Sequence, residues 1–278
     1  MVDESAVEEM METSWESPLR QRLREGLPVF GCTITTSSLD LAARAATTGF
    51  HFLWLELEHS PLTLETVRNI VLATRGLPGV PFARLPVAET WTAKRVLDAG
   101  VHGVVFPFVS TPALATLAAA ACRYPPQGRR GSGASLATSS WPDPDSYYDS
   151  ADRNIMTVVV IEEASALPHV DEIAATPGVD VVFVGTGDLS FSLGVRGHQQ
   201  HPRVEEAASL VLAAAKRHGK IAGRPAGSVE DTRRYIDDGF LFLQAPSDLA
   251  LFEAGAERLL SRYGIHPLRR QGTQRTLY

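Results

Sequence analysis

Leu53-Trp54-Leu55-Glu56-Leu57-Glu58-His59-Ser60-Pro61 is an apolar run that ends abruptly in two carboxylates and an imidazole. A buried strand whose last residues turn ionisable presents chemistry at its carboxyl end. Barrels and open α/β sheets build their sites there, because loops converge on a rigid scaffold. A histidine just past a strand is equally at home as a hydrogen-bonded loop residue, so this stretch does not decide the matter alone. Similar endings recur at Arg84, Glu162 and Asp188.

Working outward, apolar β-type runs alternate with longer amphipathic or Ala-rich stretches, the pattern of βα units around a parallel sheet. The expected strands cover 29–34, 52–57, 80–84, 103–106, 157–161, 179–184, 220–223 and 240–243. Helices are expected over stretches such as 39–47, 64–74, 93–99, 112–122, 204–218 and 249–263, and Gly49, Gly100, Gly219 and Gly239 stand where left-handed C-terminal caps are expected. Eight strands in alternation predict an α/β fold, a single-domain (β/α)8 TIM barrel over residues 17–264. The Pro-, Gly- and Arg-rich segment 124–154 is too long for an ordinary connection and is expected to fold over the barrel mouth. Residues 1–16 carry six acids and no Lys or Arg, and read as a mobile acidic extension; residues 265–278 read as a basic tail.

A chain of 278 residues at 44% hydrophobic can bury one sizeable core. Its 26 Lys and Arg against 32 Asp and Glu, a net charge of −6, argue against a nucleic-acid or anionic-membrane surface and favour a small-molecule ligand. Cys32 and Cys122 form neither a disulfide framework nor a Cys-x-x-Cys pattern, which fits a reducing cytoplasm. The acidic N-terminus lacks the features of a signal peptide, and no apolar run reaches membrane-spanning length.

Glu162 follows Val158-Val159-Val160-Ile161, and Asp188 follows Val181-Val182-Phe183-Val184-Gly185-Thr186-Gly187. Carboxylates at consecutive strand ends can share one hard cation, Mg²⁺ or Mn²⁺; they can also serve as acidic residues at helix N-termini. Arg84 ends its strand at the same rim. Its guanidinium can hold a carboxylate or an enolate oxygen, or form a structural ion pair. Asp98 reads either as a solvated helix-end residue or as the acceptor that orients His59. Gly185-Thr186-Gly187 does not complete a phosphate-binding pattern, but its amides can bind a small carboxylate. His198 and His201 read as a polar loop.

In order and context these residues resemble the HpcH/HpaI aldolase family of metal-dependent, class II pyruvate aldolases, over roughly residues 26–263. Glu58-His59-Ser60-Pro61 is similar to the family's Glu-His-(Ala/Ser)-Pro signature, and Ala83-Arg84 to the strand end bearing its substrate arginine. Leu97-Asp98-Ala99-Gly100 resembles the segment carrying the aspartate that partners the histidine. Arg123-Tyr124-Pro125-Pro126 through Arg130-Gly131 matches a distinctive loop. Ile161-Glu162 and Gly185-Thr186-Gly187-Asp188-Leu189-Ser190 correspond to the two metal carboxylates, the second in a motif usually written Gly-Pro-x-Asp-Leu-Ser. The chain departs from the family at Glu56-Leu57, where many members have Asp-Gly, at Glu163-Ala164-Ser165, and at Arg224.

The resemblance implies His59, Arg84 and Asp98 as catalytic residues, and Glu162 and Asp188 as ligands of Mg²⁺ or Mn²⁺, with Co²⁺ or Zn²⁺ as further candidates. Arg84, Gly185, Thr186 and Gly187 would bind substrate. The implied reaction is reversible cleavage of a 4-hydroxy-2-oxo acid to pyruvate, or a close 2-oxo acid, and an aldehyde, with Lys94 and Lys220 not needed. A homo-oligomer, hexamer or trimer, is implied, often with the last helix packing on a neighbour. Two alternatives are a decarboxylase or carbon–carbon bond-forming synthase using the same enolate, as in the macrophomate synthase branch, and a non-catalytic barrel subunit.

Overall fold

A computed structural model of the chain describes residues 15–265. Eight parallel strands pair in sequence order and close into a barrel: β1 (Val29–Ile34), β2 (Phe52–Glu56), β3 (Val80–Arg84), β4 (Gly103–Phe106), β5 (Met156–Ile161), β6 (Val181–Val184), β7 (Ile221–Pro225) and β8 (Phe240–Ser247). This is the expected (β/α)8 barrel. Helix α1 (Pro18–Arg24) precedes it, and α2 (Leu39–Thr47), α3 (Leu64–Ala73), α4 (Thr90–Ala99) and α5 (Pro112–Ala121) follow the first four strands. Short helices α6 (Ser135–Thr138) and α7 (Tyr147–Asn154) lie in the connection to β5. After β5 come a 3₁₀ turn, Ala164–His169, and α8 (Val170–Ala175); α9 (Thr186–Ser192) and α10 (Pro202–Arg217) follow β6, α11 (Val229–Asp238) follows β7, and α12 (Asp248–Arg262) follows β8.

The strands read as continuous apolar runs because both of their faces are buried. With period 2, Phe52, Trp54, Phe82, Val158, Val160, Phe183 and Phe242 fill the barrel interior, while Leu53, Leu55, Ala83, Val159 and Val182 belong to the layer under the helices. The Phe52 and Phe242 rings stack with centroids 4.4 Å apart, and Trp54 meets Phe183 at 5.2 Å. Burial of each such ring stabilises the barrel by about 1.5–3 kcal/mol. Gly31 leaves room for this packing: a Cβ there would lie 2.0 Å from the Phe52 ring. Ser38, Thr63, Thr111, Ser228 and Ser247 cap helix N-termini, each accepting a backbone N–H three residues on. Gly100 and Gly239 close α4 and α11 in the left-handed conformation, at φ 103° and 112°.

Strand β8 runs four residues past the expected Leu243, because Gln244 and Ala245 pair with Gly31 and Cys32, and Ser247 pairs with Thr33. These polar and small residues carry no strand-like hydrophobic pattern. Helix α11 is not among the expected helices: it is rich in charge, and Tyr235 is its one fully buried side chain.

The long segment 124–154 corrects an expectation: it joins the end of α5 to the start of β5, and so crosses the amino end of the barrel, not the mouth. It is pinned there. Trp141 stacks on His102, just ahead of β4, with centroids 4.6 Å apart, and Arg68 Nη1 donates to the carbonyls of Ala99 and Leu136 and to Ser140 Oγ. Trp15 packs edge-on against both His102 and Trp141, and Glu16 pairs with Arg24, so the docked body begins two residues ahead of the expected boundary. The extension's residues 1–14 and the tail's 266–278 lie outside the described residues. Among the described residues, no helix is long and apolar enough to cross a membrane.

Candidate active site

Glu56 and Arg84 end neighbouring strands and are register partners, Glu162 directly follows β5, and Asp188 stands in the first turn of α9 after β6. Parallel strands therefore bring all four to the carboxyl end of the barrel, with Glu58 and His59 on the turn after β2.

Arg84 is the hub of this cluster. Its Nη1 lies 3.4 Å from Glu56 Oε2, and its Nη2 lies 2.5 Å from Glu58 Oε2 and 3.3 Å from Glu162 Oε2. The approach to Glu58 is an ion pair without hydrogen-bond geometry. One guanidinium cannot offset so many buried carboxylates. Burial pushes Glu162 up to about 7; Arg84 and the Phe108 N–H pull it down, while the charges of Asp188 and Glu56 add to the rise. Glu58 is also pushed to about 7, by burial first and then by Glu162, Glu56 and Asp188 against the pull of Arg84. The site is short of positive charge.

Glu162 is held from two sides. Its Oε1 accepts the Phe108 N–H at 2.7 Å, and Phe108 adopts φ 50° to aim that amide. A left-handed non-glycine costs about 1 kcal/mol or more, the kind of strain found at functional sites. On the other side, a Cβ at Gly185 would lie 2.7 Å from Glu162 Oε2, so glycine is required for space. The Thr186 hydroxyl donates to Gln199 at 2.9 Å and ties the following loop to this turn.

Could these residues hold a divalent cation? Their donors are all oxygens, which suits a hard ion, and a cation that bound there would displace the protons of the raised carboxylates into solvent. Among the described residues no group of three or more His, Cys, Asp or Glu is arranged to hold a metal. Glu162 and Asp188 would thus leave most of the coordination shell to water and substrate, as Mg²⁺ and Mn²⁺ sites do. The residues fit.

His59 projects at the rim, its side chain 48% exposed and Nε2 3.8 Å from Glu58 Oε2. With Thr33, Thr35, Ser60 and Gln244 it lines a cavity of about 270 Å³. Asp98 does not join it. The ten residues of α4 carry the chain about 15 Å back toward the amino end, where Asp98 Oδ1 meets Arg130 Nη2 at 3.4 Å. A partnership between Asp98 and His59 within one chain is therefore corrected, since β3 and α4 separate them.

Arg224 forms a two-point pair with Glu205, at 3.1 and 2.8 Å, and lies over the Tyr235 ring at 3.4 Å, a structural role. His201 Nδ1 accepts the Arg203 N–H at the start of α10, and His198 stays a loop residue. Lys220 donates to the carbonyls of Thr176 and Val179 at the amino end, away from the mouth. Sequence reasoning missed Glu58 and the Phe108 amide. Glu58 was legible in the Glu-x-Glu-His spacing, whereas no side-chain pattern signals a backbone amide.

The chain is 37% identical over 230 residues to a 5-keto-4-deoxy-D-glucarate aldolase of Salmonella arizonae, covering 83% of this chain and 88% of that one. Its fold superposes with a TM-score of 0.82 on an HpcH/HpaI aldolase/citrate lyase family protein from Burkholderia cenocepacia, at 33% identity over 89% of this chain and 99% of the other. An HpcH/HpaI aldolase from Desulfitobacterium hafniense gives the same TM-score at 25% identity, covering 91% and 98%. The family model HpcH/HpaI aldolase/citrate lyase matches residues 30–254, and the chain belongs to this family of carbon–carbon lyases.

Proposed function

We propose that the protein cleaves a 4-hydroxy-2-oxo acid reversibly into pyruvate, or a close 2-oxo acid, and an aldehyde. The observation that carries this reading is the pairing of Glu58 and Glu162 with the buried Arg84, where the nearby charge of Asp188 raises both carboxylates further, so that the site is short of positive charge and lies beside an exposed imidazole. A divalent cation held by Glu162 and Asp188, Mg²⁺ or Mn²⁺ first, supplies a Lewis acid for the 2-oxo-carboxylate end.

The remaining work falls to the chain. The Gly185–Gly187 turn beside Glu162 offers backbone amides to the carboxylate. His59 takes the proton of the C4 hydroxyl, the C3–C4 bond breaks to release the aldehyde, and its electron pair becomes the enolate of the 2-oxo acid. Arg84 faces the enolate oxygen and stabilises its charge, and protonation at C3 completes the product. The relative's name offers 5-keto-4-deoxy-D-glucarate as the first substrate to try.

Asp98 enters this scheme only from a second copy of the chain, since in its own chain it sits at the far end of the barrel. Assembly as a homo-oligomer would supply it. Helix α12 supports such assembly by exposing Leu249, Phe252 and Leu259, with Tyr263 exposed just beyond its end.

The test is exchange of pyruvate methyl protons in D₂O, followed by NMR with metal-stripped protein and then with Mg²⁺ or Mn²⁺ added. Exchange that requires metal and vanishes in Glu162→Ala is the expected result. Absence of exchange in metal-loaded protein shown separately to bind pyruvate would overturn the reading.

A further inference from the structure

Glu56 is the acid at the mouth that the proposed reaction does not use, and it is the position where the sequence departs from the family's Asp-Gly. Its carboxylate is saturated. Oε1 accepts the backbone N–H of Glu58 at 2.9 Å and of His59 at 3.1 Å, while Oε2 accepts the Trp54 indole N–H at 3.1 Å and faces Arg84 Nη1 at 3.4 Å. The residue is 3% exposed, and its own carbonyl accepts the Ser60 hydroxyl.

The arrangement follows from strand periodicity. Phe52, Trp54 and Glu56 alternate toward the barrel interior, so the indole lies directly beneath the carboxylate. A side chain one methylene longer than aspartate can touch the indole below, the arginine beside it and the two amides ahead of it. The direction in which the chain leaves β2, and hence the aim of His59, is set by a carboxylate that is itself fixed from the barrel floor.

We propose that Glu56, clamped by Trp54, is a positioning residue that holds His59 and Arg84 in register with each other. The proposal rests on the reading that those two residues carry the reaction. Glu56 touches neither substrate nor reacting atoms; it acts through the turn and the guanidinium. Glu56→Gln keeps the shape but supplies only one acceptor oxygen, so either the two amides or the indole and arginine lose their partner. Glu56→Asp reaches the amides and not the indole.

The experiment measures pyruvate exchange and aldol turnover in Glu56→Gln, Glu56→Asp and Trp54→Phe, with the indole N–H signals of ¹⁵N-tryptophan-labelled protein; Trp54→Phe assigns the Trp54 signal. Glu56→Gln is expected to lower kcat by about 10- to 100-fold, the range for lost outer-shell partners, with KM for the 2-oxo acid changed less than about 3-fold. Glu56→Asp should fall between it and the unaltered protein. The Trp54 indole proton should move upfield in Glu56→Gln. A Trp54 signal that does not respond, or a kcat within about 2-fold once corrected for folded protein, overturns the proposal even if the melting temperature falls. Failure of the unaltered, metal-loaded protein to exchange pyruvate removes the functional reading instead, which separates the two failures.

Discussion

At the carboxyl end of the barrel, Glu56, Glu58 and Glu162 crowd around one arginine, within reach of the charge of Asp188. At the amino end, an equally buried arginine, Arg130, is enclosed by the Tyr124 ring at 4.6 Å, the Tyr147 hydroxyl at 2.7 Å and Asp98, and Tyr147 in turn meets Trp141, which stacks on His102 with Trp15 edge-on to both. The first end leaves charge uncompensated, and burial there raises Glu58 and Glu162 to about 7 against the pull of Arg84. The second spreads a single cation over aromatic faces and keeps its histidine neutral. Instability is concentrated where binding and chemistry can use it, and packing is concentrated where the chain must be held closed.

The largest effects should separate the two ends. Glu162→Gln is expected to cut turnover by about 10³-fold, the scale of lost Lewis-acid positioning, while the melting temperature at pH 8 stays level or rises, because a carboxylate repelled by its neighbours is gone. Trp141→Ala should do the reverse, costing about 3–5 kcal/mol of stability by opening a cavity beneath His102, with turnover per folded molecule unchanged. Denaturant melts run beside kinetics on both variants check the pair. Trp141→Ala losing turnover faster than fold would break the comparison.

The two ends should also respond to pH with opposite sign. Burial pushes His102 down to about 4 from an ordinary value of 6.5. Above pH 6.5 it is neutral in folded and unfolded chains alike; as pH falls toward 4 the unfolded chain gains a proton that the folded one refuses. The loss approaches about 3 kcal/mol. Glu58 and Glu162 are raised from 4.5 to about 7, so in metal-free protein their contribution is complete below pH 4.5 and is lost as pH rises through 7. His102→Gln should flatten the acid side of the stability curve and leave the neutral side alone. Denaturation of metal-free protein at several pH values between 4 and 8 measures both limbs.

How much of this was legible in the sequence depended on what each residue answers to. Strands β1 to β6 announced themselves because both faces are apolar, and Arg84, Glu162 and Asp188 stood out as charges where apolar runs end. Residues 244–247 and 229–238 did not, since pairing with β1 and a single buried tyrosine leave little pattern. The amide of Phe108 was invisible because backbone carries no sequence signal. Segment 124–154 misled by length alone: a long connection draws attention to the mouth, yet one that follows a helix must start at the opposite end. Asp98 misled for a related reason, because a motif match says which residues act together and not whether they belong to one chain.

That last point gives the smallest effect and a sharp division. If Asp98 orients His59 across a subunit boundary, Asp98→Asn should lower turnover by about 10- to 100-fold while leaving pyruvate affinity near that of the unaltered protein. Arg130 would lose an ion pair at the same time, so stability must be followed alongside. Mixing settles the difference. Samples of Asp98→Asn and His59→Ala, unfolded together and refolded, would form hybrid assemblies in which some sites combine an intact His59 from one chain with an intact Asp98 from another. Activity recovered above the sum of the separately refolded variants is the expected outcome, rising with the fraction of hybrids. An Asp98 that served only to pair Arg130 would give no recovery, and the amino end would then be structural throughout.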